Sequence, residues 1–129
     1  MMLNRPQDVY QQNQVQTASP EELTLMLYNG LVKYLRQAKN AIEASQMEKA
    51  HTHMLRAQDI ITEFMVTLNM EYEISQQLML LYDFMKQQVI EANLHKDVHR
   101  LSEVENMAIE LRETWMQAMK QAKTHSLNS

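Results

Sequence analysis

The residues of this chain that could do chemistry are few, and none stands in a complete arrangement. Glu48-Lys49-Ala50-His51 has the Glu-x-x-His spacing with which di-iron bundles ligate metal. Such a centre needs two of these motifs and a further Glu from each of two other helices. One copy is present, in the first turn of its helix, and His53 two residues on faces elsewhere. Capping and surface charge therefore account for it better than iron does. His95 and His99 are spaced i, i+4, but Asp97 breaks the helix between them. With a single glycine, no phosphate-cradling loop can form. A nucleophile, base and orienting acid assemble only in three dimensions, and nothing marks such a set here. The reading is a protein that is not an enzyme and needs no cofactor or metal.

What is present in excess is apolar side chain at helical spacing. Ser19, Pro20 and Glu22 write a helix start: a hydroxyl N-cap, a proline at the first helical position and a capping-box glutamate. From there to about Ala44, Leu23, Leu27, Leu31, Tyr34, Ala38 and Ala41 form one face. Gly30 borders it and predicts close approach of another backbone. Ser45-Gln46-Met47-Glu48 repeats the capping-box pattern. Met47, Ala50, Met54, Ala57, Ile61, Phe64 and Leu68 then keep a heptad seam. Asn69 to Ile74 reads as a loop. A third helix from about Ser75 to Leu94 buries Ile74, Leu78, Leu81, Met85, Val89 and Ala92. Asp97 caps a fourth, running to about Lys123, with Leu101, Val104, Ala108, Leu111, Trp115, Ala118 and Ala122 inward.

These elements predict an all-α fold, an antiparallel up-and-down four-helix bundle with a flexible N-terminal arm. The boundaries are 1–18 for the arm, 19–123 for the bundle and 124–129 for a loose tail. The apolar residues outside the four core faces are candidates for a partner surface. On the first helix they are Leu25, Tyr28 and Val32; on the third, Met79, Leu80, Phe84 and Ile90; on the fourth, Ile109 and Met116. The glutamine-rich arm adds Tyr10 and Val15, which a solvated arm has little need of; they are expected to dock on the same apolar surface.

Composition narrows the class. The chain has 129 residues, enough for one domain. It has no cysteine, no apolar run long enough to span a membrane and no signal-peptide core, so it is expected in the cytoplasm. A net charge of −4 argues against nucleic acid as a partner. Lys33, Arg36 and Lys39 make one basic stripe, read as a solvated face toward the negative end of its helix. The 12 methionines are core filler and, where exposed, the adaptable kind of contact surface.

Thr17-Ala18-Ser19-Pro20-Glu21-Glu22-Leu23 through Gly30, preceded by Tyr10 and Val15, resembles the opening of the bacterial flagellin export chaperone family, the FliS-type proteins. Leu81-Tyr82-Asp83-Phe84-Met85, Glu91-Ala92-Asn93, Glu103-Val104-Glu105 and Trp115 are similar to later parts of the same family, so the resemblance spans roughly Tyr10 to Met119. It implies a chaperone that binds the C-terminal region of flagellin, prevents its premature polymerisation and passes it to the flagellar type III export apparatus. The partner-binding residues would be Tyr10, Val15, Leu25, Tyr28, Val32, Leu80 and Phe84. Two positions depart from the family pattern: Phe84 and Lys86-Gln87-Gln88 replace a usual tyrosine and arginine, and Gly30 is followed by Leu31-Val32 where a small residue is common. The alternative is a protein-binding regulator of flagellar assembly that holds no cargo.

Overall fold

Ser19 caps the first helix as its hydroxyl allows: Oγ accepts from the Glu22 N–H at 3.2 Å, with Pro20 at the first helical position. The structure, a computed structural model, describes residues 18–128, with side chains as far as Thr124. The described residues form four helices: α1 (Pro20–Glu43), α2 (Met47–Thr67), α3 (Glu73–His95) and α4 (Val98–Asn128). Each helix packs on its sequence neighbour, and α4 closes the ring against α1. Short connections make every neighbour antiparallel. The core is Leu31, Leu35, Met54, Ile61, Met85, Val89, Leu101 and Val104 with smaller alanines between them. The all-α four-helix bundle is the predicted one.

The ends of the helices differ from expectation in instructive ways. Ser45 is not an N-cap. It sits in the left-handed region (φ 59°) just past α1, where Gln46 N–H donates to Ala41 O at 2.7 Å and Ser45 N–H to Ile42 O at 3.0 Å. This is a Schellman C-cap, a position that favours glycine. Gln46 then starts α2 without a side-chain cap bond. Lys96 (φ 51°) plays the same part after α3, with Asp97 N–H donating to Ala92 O at 2.9 Å. Asp97 is the expected cap of α4: its Oδ1 accepts from the N–H groups of His99 (3.0 Å) and Arg100 (3.2 Å). That helix continues to Asn128. No helix of the described residues is long and apolar enough to cross a membrane.

Gly30 was expected to admit a neighbouring backbone. A Cβ there would instead meet the end of a side chain, Ile60 Cδ1, at 3.2 Å. The close approach of α1 and α2 is therefore a side-chain fit that a small shift of Ile60 would relax.

An L-residue pays roughly 1–2 kcal/mol in the left-handed region, and glycine avoids most of it. Ser45→Gly is expected to stabilise the bundle by about 0.5–1 kcal/mol, read as a rise in the urea midpoint at unchanged slope.

Candidate functional site

Two residues assigned to a partner surface lie in the core. Tyr28 is 5% exposed and Val32 2%. The reason is that α1 packs on two neighbours. One flank meets α2, through Gly30 and Ile60 and through the Tyr34–His53 stack. The other meets α4, where Arg112 Nη1 donates to Asn29 Oδ1 at 3.2 Å and Arg36 pairs with Glu105. A helix held on both flanks buries an arc wider than one stripe, and Tyr28 and Val32 fall inside that arc. Leu25 is half-buried on the same helix. Tyr10 and Val15 lie outside the described residues.

Inside the core the Tyr28, Phe64 and Tyr82 rings stack, with centroids 4.5 Å and 5.2 Å apart. The Tyr28 and Tyr82 hydroxyls meet at 2.7 Å, satisfying each other across the bundle. Burial pushes the Tyr28 hydroxyl above its ordinary pKa, offset in part by the bond to Tyr82. Burial and the same bond push Tyr82 up strongly, so both stay neutral.

The basic stripe of α1 is not simply solvated. Arg36 Nε donates to Glu105 Oε2 at 2.8 Å, and Lys39 Nζ lies 2.7 Å from Oε1. The Glu105 side chain is 10% exposed. Lys39 Nζ also donates to Ser102 Oγ at 3.1 Å. Burial raises the Glu105 pKa, but the bonds and charges of Lys39 and Arg36 outweigh it, and the net effect holds the carboxyl below its usual value.

The open surface lies across the bundle, between α3 and α4. A cleft of about 200 Å³ is lined by Leu81, Met107, Glu110, Leu111 and Thr114. Leu81 and Leu111, expected in a closed core, are only half-buried because this seam does not close. Leu80 (73% exposed) precedes Leu81 on α3, and Phe84 (50%) follows it. Of the predicted partner residues that the structure describes, these two are the exposed ones. Leu25, Tyr28 and Val32 belong to a helix that does not line the cleft. Met107 and Thr114 were missed; both fall beside, not on, the heptad stripe from which the core was read. A larger and more open hollow of about 710 Å³ lies over Glu48, Lys49, Thr52 and His53 on α2.

The histidines have other partners. His51 Nδ1 is 2.8 Å from Asn93 Nδ2, joining α2 to α3. His53 stacks on Tyr34, and its pKa is lowered by burial and by Lys33 and Lys49. His95 and His99 sit beside Glu91 and Glu103 at 3.6 and 3.2 Å. Among the described residues no three His, Cys, Asp or Glu side chains gather as a metal site would require.

The family model for the flagellar protein FliS matches residues 2–122. The chain belongs to the FliS family. It is 43% identical to the flagellar secretion chaperone FliS of Bacillus subtilis (strain 168) over 119 residues, which is 92% of this chain and 90% of that protein. It is 33% identical to flagellar secretion chaperone FliS of Campylobacter jejuni over 117 residues, 89% of this chain and 91% of the relative. With flagellar secretion chaperone FliSB of Pseudomonas aeruginosa it shares 31% over 111 residues, 84% and 88% of the two chains. The segments that carry the FliS resemblance turn out to hold the bundle together. Tyr82 is bonded to Tyr28, Asn93 to His51 and Glu105 to Arg36, and Trp115 Nε1 donates to Glu21 O at 3.0 Å.

Removing one hydroxyl of the tyrosine pair strands the other. Tyr28→Phe and Tyr82→Phe are each expected to cost about 1–2 kcal/mol in urea unfolding, and the double variant clearly less than the sum. Glu105 stabilises the fold above the unfolded carboxylate pKa, and that contribution is lost as pH falls through its depressed folded value. The stability gap between the native chain and Glu105→Gln should therefore be full at pH 7 and shrink steadily through the acid range below the ordinary glutamate pKa.

Proposed function

We propose that this chain is a cytosolic export chaperone that holds the C-terminal helical region of flagellin against the α3–α4 cleft and the adjoining Leu80–Phe84 face. Holding that segment keeps flagellin from polymerising and delivers it to the flagellar type III export apparatus. The observation that carries the reading is the cleft itself: an apolar opening along the α3–α4 seam, in a member of the FliS family. An amphipathic helix lays its apolar stripe into such a groove, and the large side chains it inserts supply most of the affinity. Met107 at the cleft wall can adapt to the inserted shape. Tyr10 and Val15 of the arm are assigned to the same apolar surface when no cargo is present.

The test uses a flagellin C-terminal segment and the full chain. Leu80→Asp and Phe84→Asp are expected to weaken binding by about tenfold or more in calorimetry, with helical circular dichroism unchanged, because both side chains are exposed in the free protein. Wild-type chain at equal molar ratio should also suppress flagellin polymerisation followed by light scattering. Binding without suppression would favour a regulator that holds no cargo.

A further inference from the structure

The lining of the cleft carries one charged side chain, Glu110. On α4, Glu103, Met107, Glu110 and Thr114 are spaced so that they share a face. On α3, Glu73, Gln77, Leu81, Phe84, Gln88 and Glu91 share another. Leu81, Met107, Glu110 and Thr114 line the cleft, so these two rows are the ones that flank it. Along these rows the carboxylates are Glu73 and Glu91 on α3 and Glu103 and Glu110 on α4, and of these Glu110 lines the cleft itself. The cation on this face, Arg100, is already engaged by Asp97 at 3.2 Å and Gln88 at 2.9 Å. His95 and His99 stand beside Glu91 and Glu103, at the end away from the cleft. None of the ion pairs among the described residues involves Glu73 or Glu110.

The cleft is too small for a typical small-molecule pocket, which holds roughly 300–1,000 Å³. Its 200 Å³ suit one large side chain of a partner. A helix that seats such a side chain brings its residues one turn away over the rim. A lysine or arginine there would lie over Glu110; an aspartate or glutamate would be repelled.

We propose that Glu110 is a specificity determinant that selects, as the occupant of the α3–α4 cleft, an amphipathic helix with basic residues flanking its apolar anchor. This deepens the chaperone reading above and rests on it, since it names the charge of the segment that the cleft accepts. Like-charged amphipathic helices are turned away, a useful property for a groove whose apolar floor alone would accept many sequences.

The probes are two synthetic amphipathic helices with the same leucine stripe, one flanked by lysines and one by glutamates, titrated calorimetrically into the full chain. The wild-type chain should prefer the lysine peptide by about tenfold at low salt, and the preference should shrink as salt rises. Glu110→Lys should cut that preference at least about fivefold, with Glu110→Gln between the two and helical content unchanged. Equal affinity for both peptides, no binding of either, or a preference untouched by Glu110→Lys overturns the inference. Phe84→Asp separates the two levels. If it abolishes binding of both peptides while charge makes no difference, the cleft stands and the charge selection falls. If it changes neither peptide's binding, the occupant is not in the cleft, and both readings fall.

Discussion

The structure depends on how α1 is held. It packs along α2 on one flank and along α4 on the other, and the second contact is fixed by Glu105. That carboxylate is nearly enclosed and takes both Arg36 and Lys39. A buried charge without partners would cost several kcal/mol, so the pairing sets the register of α4 against α1. Trp115 repeats the constraint further along, with its indole N–H on the Glu21 carbonyl. The Tyr28–Phe64–Tyr82 stack carries the fixed geometry across to α2 and α3. What remains without such a tie is the cleft end of the α3–α4 seam, where Leu81 and Leu111 stay half-buried. The polar contact recorded across that seam, Arg100 to Gln88, is at its other end, near the turn.

Function follows from that asymmetry. Three seams are spent on stability, and the fourth keeps a cavity of side-chain size with Phe84 and Leu80 beside it. Exposed apolar surface is a liability for a protein that must not aggregate, and it is retained where a partner covers it. Glu110 at the rim of the cleft is the charged side chain that the proposed occupant would meet. Stability and recognition thus occupy different helices: α1 carries most of the buried polar ties, and α3 with α4 carries the opening.

Much of this was legible in the residues. Ser19 and Asp97 read correctly as caps because each side chain has one backbone job to do. The seam of α2 from Ala50 to Phe64 read correctly because its heptad spacing has one interpretation. Ser45 misled because two grammars overlap there: a hydroxyl three residues before a glutamate looks like an N-cap, yet the backbone needed a left-handed residue to end the preceding helix. Tyr28 and Val32 were placed outside because a single stripe was granted to a helix that has two neighbours. The half-open seam was not legible at all. Leu81 and Leu111 keep the same spacing whether their seam closes or gapes, since spacing fixes a face and not the distance to the facing helix. Leu80 and Phe84 were found because they fall well off every buried stripe.

Hydrogen–deuterium exchange of the full chain, with and without a flagellin C-terminal segment, tests the central claim most directly. Cargo held in the α3–α4 cleft should add protection in the peptides covering 77–84 and 107–114 while leaving α2 near its free rate, because ordering a loose seam slows the openings that permit exchange. Added protection confined to α1 or α2, with those two segments unchanged, would contradict the account.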